Sequence, residues 1–311
     1  MAIDEATASL LAAMAELGAK PLQEMTPQEA REFSRLQKDL TGPGPQMASA
    51  YDETVRAADG SQFGVRVLIP EGDPLALILY YHGGGWVLGA IDDFDALGRI
   101  LADRLSACVV LVDYRLAPEH RYPVAADDAW AALRWADQQM PSIAGRRVPL
   151  VVMGDSAGGN LSAVVSLRAR DAGGPRIDHQ VLIYPVTDAD LDNGSYVDPE
   201  NQLMLTRDGM AWFWDHYAPD PADRLHPDAA PLRAADLGGL PPAIVLIAEH
   251  DVLRDEGEAY ADRLRAAGVP VQRRCFAGQM HGFFTMVGVL PGSADGIDYV
   301  AEQLGARLTS D

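Results

Sequence analysis

The sequence is poor in cysteine and has no excess of basic charge. Cys108 and Cys275 are the only cysteines among 311 residues, and both lie in strand-like runs. Two such residues predict buried free thiols rather than a disulfide framework, which fits a reducing cytoplasm. The 45 acidic residues outnumber the 25 basic ones and give a net charge of −20. This balance argues against nucleic acid and anionic membrane surfaces as partners.

Long apolar segments and metal-binding motifs are also missing. No stretch approaches the roughly 18 uncharged apolar residues that a membrane span needs. Residues 1–16 include Asp4, Glu5 and Glu16 and no basic segment, so we expect no signal peptide and predict a cytoplasmic protein. The HExxH and HxH spacings are absent, and we expect no metal and no cofactor.

What the chain does contain is a regular alternation of apolar strands and helical patterns. Ala58-Asp59-Gly60-Ser61 is a hairpin signal between the first two strands. The predicted strands are 51–57, 63–69, 75–81, 107–113, 149–153, 180–184, 243–248 and 271–276, and the predicted helices between and after them are 92–105, 123–139, 157–172, 253–267 and 293–308. Most of the later strands are continuous apolar runs, as expected when helices cover both faces. The pattern predicts an α/β fold with an eight-stranded, mostly parallel sheet and reactive groups at the carboxyl ends of the strands.

Two regions fall outside this alternation. The N-terminal region carries two amphipathic helical patterns before any strand; their apolar positions are Ile3, Leu10, Leu11, Met14 and Leu17 in the first and Phe33, Leu36 and Leu40 in the second. Thr26 and Glu29 have the capping-box spacing at the start of the second. One strand ends at Pro185 and the next begins at Ala243, and the more than fifty residues between them are too many for a loop. This segment includes a helical pattern over 206–217. We therefore predict a cap formed by residues 1–45 and 188–225 over a catalytic core formed by 46–187 and 226–311.

The strongest chemical signal is a Gly-x-Ser-x-Gly sequence centred on Ser156. An apolar strand precedes it and a helical pattern follows, which predicts a strand, a tight turn and a helix. Such a turn exposes the serine hydroxyl at the sheet edge, and the N-terminus of the helix favours negative charge at the same point. The motif occurs often by chance in a chain with 29 glycines, but here its surroundings favour a catalytic serine.

A second motif, His82-Gly83-Gly84-Gly85-Trp86, follows the third strand. Consecutive glycines let backbone N–H groups approach a ligand closely, so Gly83, Gly84 and Gly85 are candidates for an oxyanion hole together with the N–H of Ala157. A phosphate-binding loop is the rival interpretation, but neither GxGxxG nor GxxxxGK[ST] is present.

A serine nucleophile needs a base, and the base needs an acid that orients it. His281 follows the eighth strand and is the preferred base among seven histidines. Asp251 follows the seventh strand and is preferred as the acid over Glu249 and Asp255. Asp155 adjoins the nucleophile but should face away from it, which favours a structural role.

Six motifs in the right order resemble a known family: HGGGW at 82–86, DYRLAPEHRYP at 113–123, GDSAGGN at 154–160, LIYP at 182–185, DVLRDEG at 251–257 and HGF at 281–283. The chain resembles the hormone-sensitive-lipase-like esterases, the bacterial family IV branch of the α/β-hydrolases. The resemblance implies an α/β-hydrolase fold with a helical cap. It implies a catalytic triad of Ser156, Asp251 and His281, with Gly84, Gly85 and Ala157 as oxyanion donors and Gly83 shaping the turn. The chain departs from the family at Val252, where proline is more frequent, and at Gln279 and Met280, where the residues before the base are usually acidic or small.

The expected activity is that of a carboxylesterase acting on short- to medium-chain acyl esters through an acyl-serine intermediate. An amidase, deacetylase or lactonase on the same triad is an alternative, and so is a non-catalytic binding module, since plant gibberellin receptors share the fold without the catalytic histidine. Trp86, Tyr184, Phe213 and Phe283 are candidate pocket walls, although core packing explains each nearly as well. The expected partner is a small-molecule ester. Related esterases are often dimers, which makes a homodimer one possible assembly.

Overall fold

The computed structural model describes residues 2–16, 18, 20–35 and 41–308, and one eight-stranded sheet lies at its centre. Its strands are β1 (Ser49–Arg56), β2 (Gln62–Ile69), β3 (Leu77–Tyr81), β4 (Cys108–Asp113), β5 (Leu150–Asp155), β6 (His179–Ile183), β7 (Ala243–His250) and β8 (Val271–Met280). They lie in the order β1-β2-β4-β3-β5-β6-β7-β8. The pairs β1–β2 and β2–β4 are antiparallel, and all other neighbours are parallel. The predicted eight-stranded, mostly parallel sheet is confirmed.

Helices lie on both sides of this sheet. They are α1 (Glu5–Glu16), α2 (Pro27–Arg35), α3 (Asp95–Leu105), α4 (Val124–Ala144), α5 (Ala157–Ala172), α6 (Gly194–Val197), α7 (Arg207–Tyr217), α8 (Arg254–Ala266) and α9 (Pro291–Leu308). Several predicted boundaries were wrong, among them the end of β8, which extends to Met280 instead of Phe276, and those of two helices. The helix predicted over 92–105 divides into a 3-10 turn at Ile91–Asp93 and α3. Helix α4 continues past Pro141 to Ala144, because Ile143 and Ala144 are buried and packing extends the helix.

The alternation of side chains along each strand divides the core into two layers. In β3, Leu77, Leu79 and Tyr81 join the layer that includes buried residues of α4 and α5. Ile78 and Tyr80 join the opposite layer, which includes residues of α3 and α9. All five β3 residues are buried, which explains why the central strands read as continuous apolar runs.

The N-terminal segments pack on the rest of the chain near the carboxyl ends of the strands. The N–H of Asp4, just before α1, donates to the carbonyl of Gly278 in β8 (3.1 Å). At α2 the predicted capping box is confirmed, since Thr26 and Glu29 bond reciprocally through side chain and backbone. Arg31 in α2 donates to the carbonyl of Val87 (2.8 Å). The predicted apolar positions Leu17, Leu36 and Leu40 lie outside the described residues.

The insertion between β6 and β7 carries the predicted helix as α7. Thr206 caps it by accepting a hydrogen bond from the N–H of Gly209 (3.0 Å). On its buried face, Tyr217 stacks on Trp86 with ring centroids 4.1 Å apart. This contact joins the insertion to the segment that follows β3. The division into cap and core stays a prediction.

Two further expectations concern cysteines and membranes. Cys108 is buried and free, as predicted, but Cys275 is exposed because β8 is an edge strand, so its predicted burial was wrong. Within the described ranges, no helix combines the length and apolar character needed to cross a bilayer.

Candidate active site

The turn between β5 and α5 holds Ser156 in an unusual backbone conformation. Its φ and ψ are 55° and −117°, a combination that costs a non-glycine residue about 1–3 kcal/mol. The turn is also tight: a Cβ added to Gly158 would lie 1.8 Å from the carbonyl oxygen of Tyr81. Only glycine therefore permits α5 to pass so close to the end of β3. The predicted strand, turn and helix are present.

The structure brings the predicted base and acid to this serine. Nε2 of His281 lies 3.0 Å from Oγ of Ser156, and Nδ1 of His281 lies 2.7 Å from Oδ2 of Asp251. The Asp251 side chain is fully buried, and that of His281 is 12% exposed. The competing acids bond elsewhere, Glu249 to the N–H of Gly278 and Asp255 to the N–H of Ser195.

This geometry selects one hydrogen-bonding pattern. The ionised carboxylate of Asp251 can only accept, so His281 carries its proton on Nδ1 and donates to it; this tautomer is assigned from the hydrogen bonds. Nε2 is then free to accept from the Ser156 hydroxyl. The arrangement can remove the hydroxyl proton while the carboxylate stabilises the resulting imidazolium.

The glycine turn after β3 lies against the same strand end. Gly83 donates its N–H to Oδ1 of Asp155 (2.9 Å), so this N–H is engaged and Gly83 shapes the turn. Within the described chain, the N–H groups of Gly84 and Gly85 have no hydrogen-bond acceptor. Gly85 has a φ of 58°, and a Cβ on it would lie 2.1 Å from the ring of Phe213. Ala157 is the first residue of α5, so its N–H has no acceptor within the helix.

Asp155 and His82 are buried residues whose side chains contact the glycine turn. Oδ1 of Asp155 also accepts from the hydroxyl of Tyr80 (2.7 Å). Burial raises the pKa of Asp155 to about 6, against the opposing effect of these two hydrogen bonds. His82 stacks between Phe94 and Tyr114, and burial lowers its pKa to about 4, so it is neutral at pH 7. The contacts of Asp155 agree with the structural role that the sequence suggested for it.

The four candidate wall residues have different surroundings. Tyr184 packs on His281 with ring centroids 4.6 Å apart, and Phe213 lies against Gly85. Trp86 and Phe283 are fully buried among other aromatic rings. The pocket role of all four stays a prediction.

Sequence reasoning missed Met204. A Cβ on Gly282, next to the base, would lie 3.4 Å from its sulfur atom. No periodic pattern in the insertion relates Met204 to the core, so the sequence held no signal for this contact.

Comparison with known proteins identifies the family of the chain. A model of the α/β-hydrolase fold matches residues 78–285. A carboxylesterase of Mycobacterium tuberculosis is 42% identical over 268 residues, which cover 84% of each chain. An ethyl acetate hydrolase of Pseudomonas putida is 36% identical and covers 93% of this chain and 92% of its own. The chain belongs to the hormone-sensitive-lipase-like α/β-hydrolases.

Solved structures place this hydrolase among esterases. An ester hydrolase from the metagenome of Lake Arreo, solved with a derivative of bipyridine phosphonate, superposes with a TM-score of 0.93. It is 36% identical, and the match covers 99% of this hydrolase and 100% of that chain. The matched residues 78–285 of the hydrolase run from β3 to the 3-10 turn after His281, so they contain Ser156, Asp251 and His281.

Proposed function

We propose that this chain is a carboxylesterase that hydrolyses short- to medium-chain acyl esters through an acyl-serine intermediate. The observation that carries the proposal is the continuous hydrogen-bonded series from Ser156 through His281 to Asp251, with heavy-atom distances of 3.0 and 2.7 Å. The esterase relatives described above support the same reaction class.

The reaction proceeds in two halves. His281 takes the proton of the Ser156 hydroxyl as its oxygen attacks the ester carbonyl, and the C–O bond to the alcohol breaks as His281 returns the proton to the leaving alcohol. Water then attacks the acyl-serine with His281 again acting as base, and the carboxylic acid leaves. Asp251 holds the imidazole and stabilises its charged form.

The developing oxyanion is held by the backbone N–H groups of Gly84, Gly85 and Ala157. These donors are fixed before substrate arrives, because positive φ and close packing determine the course of the glycine turn. Loss of one such donor costs roughly 3 kcal/mol of transition-state stabilisation. Gly83 contributes through the shape of the turn, since its N–H is bonded to Asp155.

The cap consists of residues 1–45 and 188–225, and it restricts the size of the acyl chain. The support is the position of Phe213 against Gly85 in the glycine turn and of Met204 against Gly282, the residue after His281. Ser156 itself is only 6% exposed. An enclosed apolar site of this kind favours short to medium acyl chains over long ones.

The test is a series of p-nitrophenyl esters with acyl chains of increasing length, assayed on the wild type and on Ser156→Ala. We expect the wild type to prefer short to medium chains and Ser156→Ala to lose at least about 10³-fold in kcat. Ser166→Ala is the matched control, because Ser166 is a buried serine of α5, the helix that follows Ser156, and its hydroxyl bonds to a helix carbonyl. It should keep full activity.

Covalent labelling distinguishes the alternatives. An organophosphonate should add to the wild type and not to Ser156→Ala, as seen by intact-mass measurement. A folded wild type that is not labelled and does not turn over any ester would support a binding module instead. Faster turnover of amides than of matched esters would support an amidase.

Location and assembly are further parts of the proposal. The two free cysteines support a cytoplasmic location. A homodimer follows from the behaviour of related esterases, and light scattering coupled to size-exclusion chromatography tests it.

A further inference from the structure

The orientation of Asp251 depends on the short turn between β7 and α8. The N–H of Leu253 donates to Oδ1 of Asp251 (2.9 Å), and the N–H of Arg254 donates to the Asp251 carbonyl (3.1 Å). These bonds leave Oδ2 directed at His281. Any displacement of residues 251–254, which we call the acid turn, therefore changes the direction of the carboxylate.

A buried serine of the insertion holds the acid turn from outside. The Oγ of Ser195 donates to the carbonyl of Val252 (2.6 Å) and accepts from the N–H of Asp255 (3.2 Å). The N–H of Ser195 donates to Oδ2 of Asp255 (2.8 Å). The hydroxyl also lies 3.0 Å from Oδ1 of Asn193, but its shortest contact is with Val252. Ser195 and Val252 are both fully buried, so water cannot replace this bond.

A second group of bonds ties the first residues after β6 to α8. Oε1 of Glu256 accepts from the N–H groups of Thr187 (2.7 Å) and Asp188 (3.3 Å). The Thr187 hydroxyl donates to the carbonyl of Glu256 (2.8 Å). Glu256 is only 2% exposed. The segment that leads into the insertion is thus attached at both Thr187 and Ser195 to the helix that begins with the acid turn.

We propose that Ser195 and Thr187 are positioning residues that act through Asp251, because the Ser195 hydroxyl bonds to the acid turn and the Thr187 hydroxyl bonds to the first turn of α8, which continues from it. Neither hydroxyl touches Ser156 or His281; each bonds to a carbonyl within or just after the acid turn. The insertion that covers the site therefore also sets the direction of the catalytic carboxylate. This inference rests on the proposed function, since it assigns Asp251 the role of catalytic acid.

A double-mutant cycle tests the proposal on the full-length protein. Ser195→Ala and Thr187→Val each remove one hydroxyl, and each is assayed in the wild type and in Asp251→Asn with the preferred p-nitrophenyl ester. In the wild-type background we expect kcat to fall about tenfold with KM within about twofold. In the Asp251→Asn background the same substitution should change kcat less than about twofold, because the group it positions has already lost its charge.

Ser166→Ala in both backgrounds is the control for loss of a buried serine hydroxyl away from the acid turn. Thermal unfolding establishes that each variant is folded at the assay temperature, and Thr187→Val carries the test if Ser195→Ala does not fold. Equal losses in both backgrounds, or full kcat in a folded variant, would overturn the proposal. Full activity of Asp251→Asn alone would also overturn it. If the wild type hydrolysed no ester, or Ser156→Ala kept full activity, the proposed function would fail instead, so the two failures are distinguishable.

Discussion

Asp155 bonds to the glycine turn, and because its carboxyl group is buried, we expect the stability of the protein to depend on the ionisation of this group. Its carboxyl is 5% exposed, and its pKa is raised from an ordinary 3.8 to about 6. The folded protein therefore holds this proton more tightly than the unfolded chain does. The stability that Asp155 contributes is fully present below about pH 4 and is lost as the pH rises through about 6.

The size of this effect follows from the shift. A difference of about two pKa units corresponds to about 3 kcal/mol over the whole titration. Between pH 5.0 and 7.5, where the unfolded chain is already almost fully ionised, the contribution falls by about 1.4 kcal/mol. Other carboxylates titrate with the opposite sign; the pKa of Glu119, for example, is lowered to about 2 by its bond to Arg31. The wild type alone therefore does not isolate the Asp155 contribution.

The comparison that isolates it is with Asp155→Asn, which keeps an oxygen to accept from Tyr80 and Gly83 but cannot ionise. Urea denaturation followed by tryptophan fluorescence at pH 5.0, 6.0 and 7.5 gives the difference in unfolding free energy between the two proteins. We expect this difference to move against the wild type by about 1.4 kcal/mol from pH 5.0 to 7.5. A difference that stays constant, or that moves in favour of the wild type, would refute the reasoning.

Two further substitutions test the cap and the core. Phe213→Ala should open space beside the oxyanion glycines for about two more methylenes of the acyl chain. At nearly four-fold per buried methylene, the kcat/KM of decanoyl relative to butanoyl p-nitrophenyl ester should rise by about 15-fold; an unchanged chain-length preference would contradict the wall role. Asp128→Ala removes the fully buried partner of Arg115, which bonds to it through the side chain and the backbone N–H, and should lower the free energy of unfolding by about 3 kcal/mol in urea denaturation with kcat unchanged. An equally stable variant would show that this ion pair contributes little.

The elements of the sheet and its reactive residues were predictable because each follows from a local rule. Alternating strands and helices imply parallel strands, and parallel strands bring their carboxyl ends to one edge. The three predicted catalytic residues each directly follow the carboxyl end of a strand: Ser156, Asp251 and His281. Their positions could therefore be predicted although they lie far apart in the sequence. The glycine turn carried its own signal, because three consecutive glycines serve no purpose in a strand or helix.

What the sequence did not reveal depends on contacts between distant segments. Ser195 lies in the polar stretch from Asp192 to Ser195, which looks like an exposed loop, yet it is fully buried against the turn of Asp251. Cys275 was expected to be buried, but its strand is at the edge of the sheet and the residue is exposed. Local sequence patterns predict the secondary structure of a residue and its neighbours. They do not predict which distant segment packs against that residue.

The backbone conformation of Ser156 lowers the stability of the folded protein, while the serine side chain supplies the reactive hydroxyl. A left-handed conformation is costly for serine and nearly free for glycine. A chain with glycine at this position would have lost its nucleophile and gained a more robust native state. The reaction requires the serine hydroxyl at this position, and the strained backbone of a non-glycine residue makes the native state less stable.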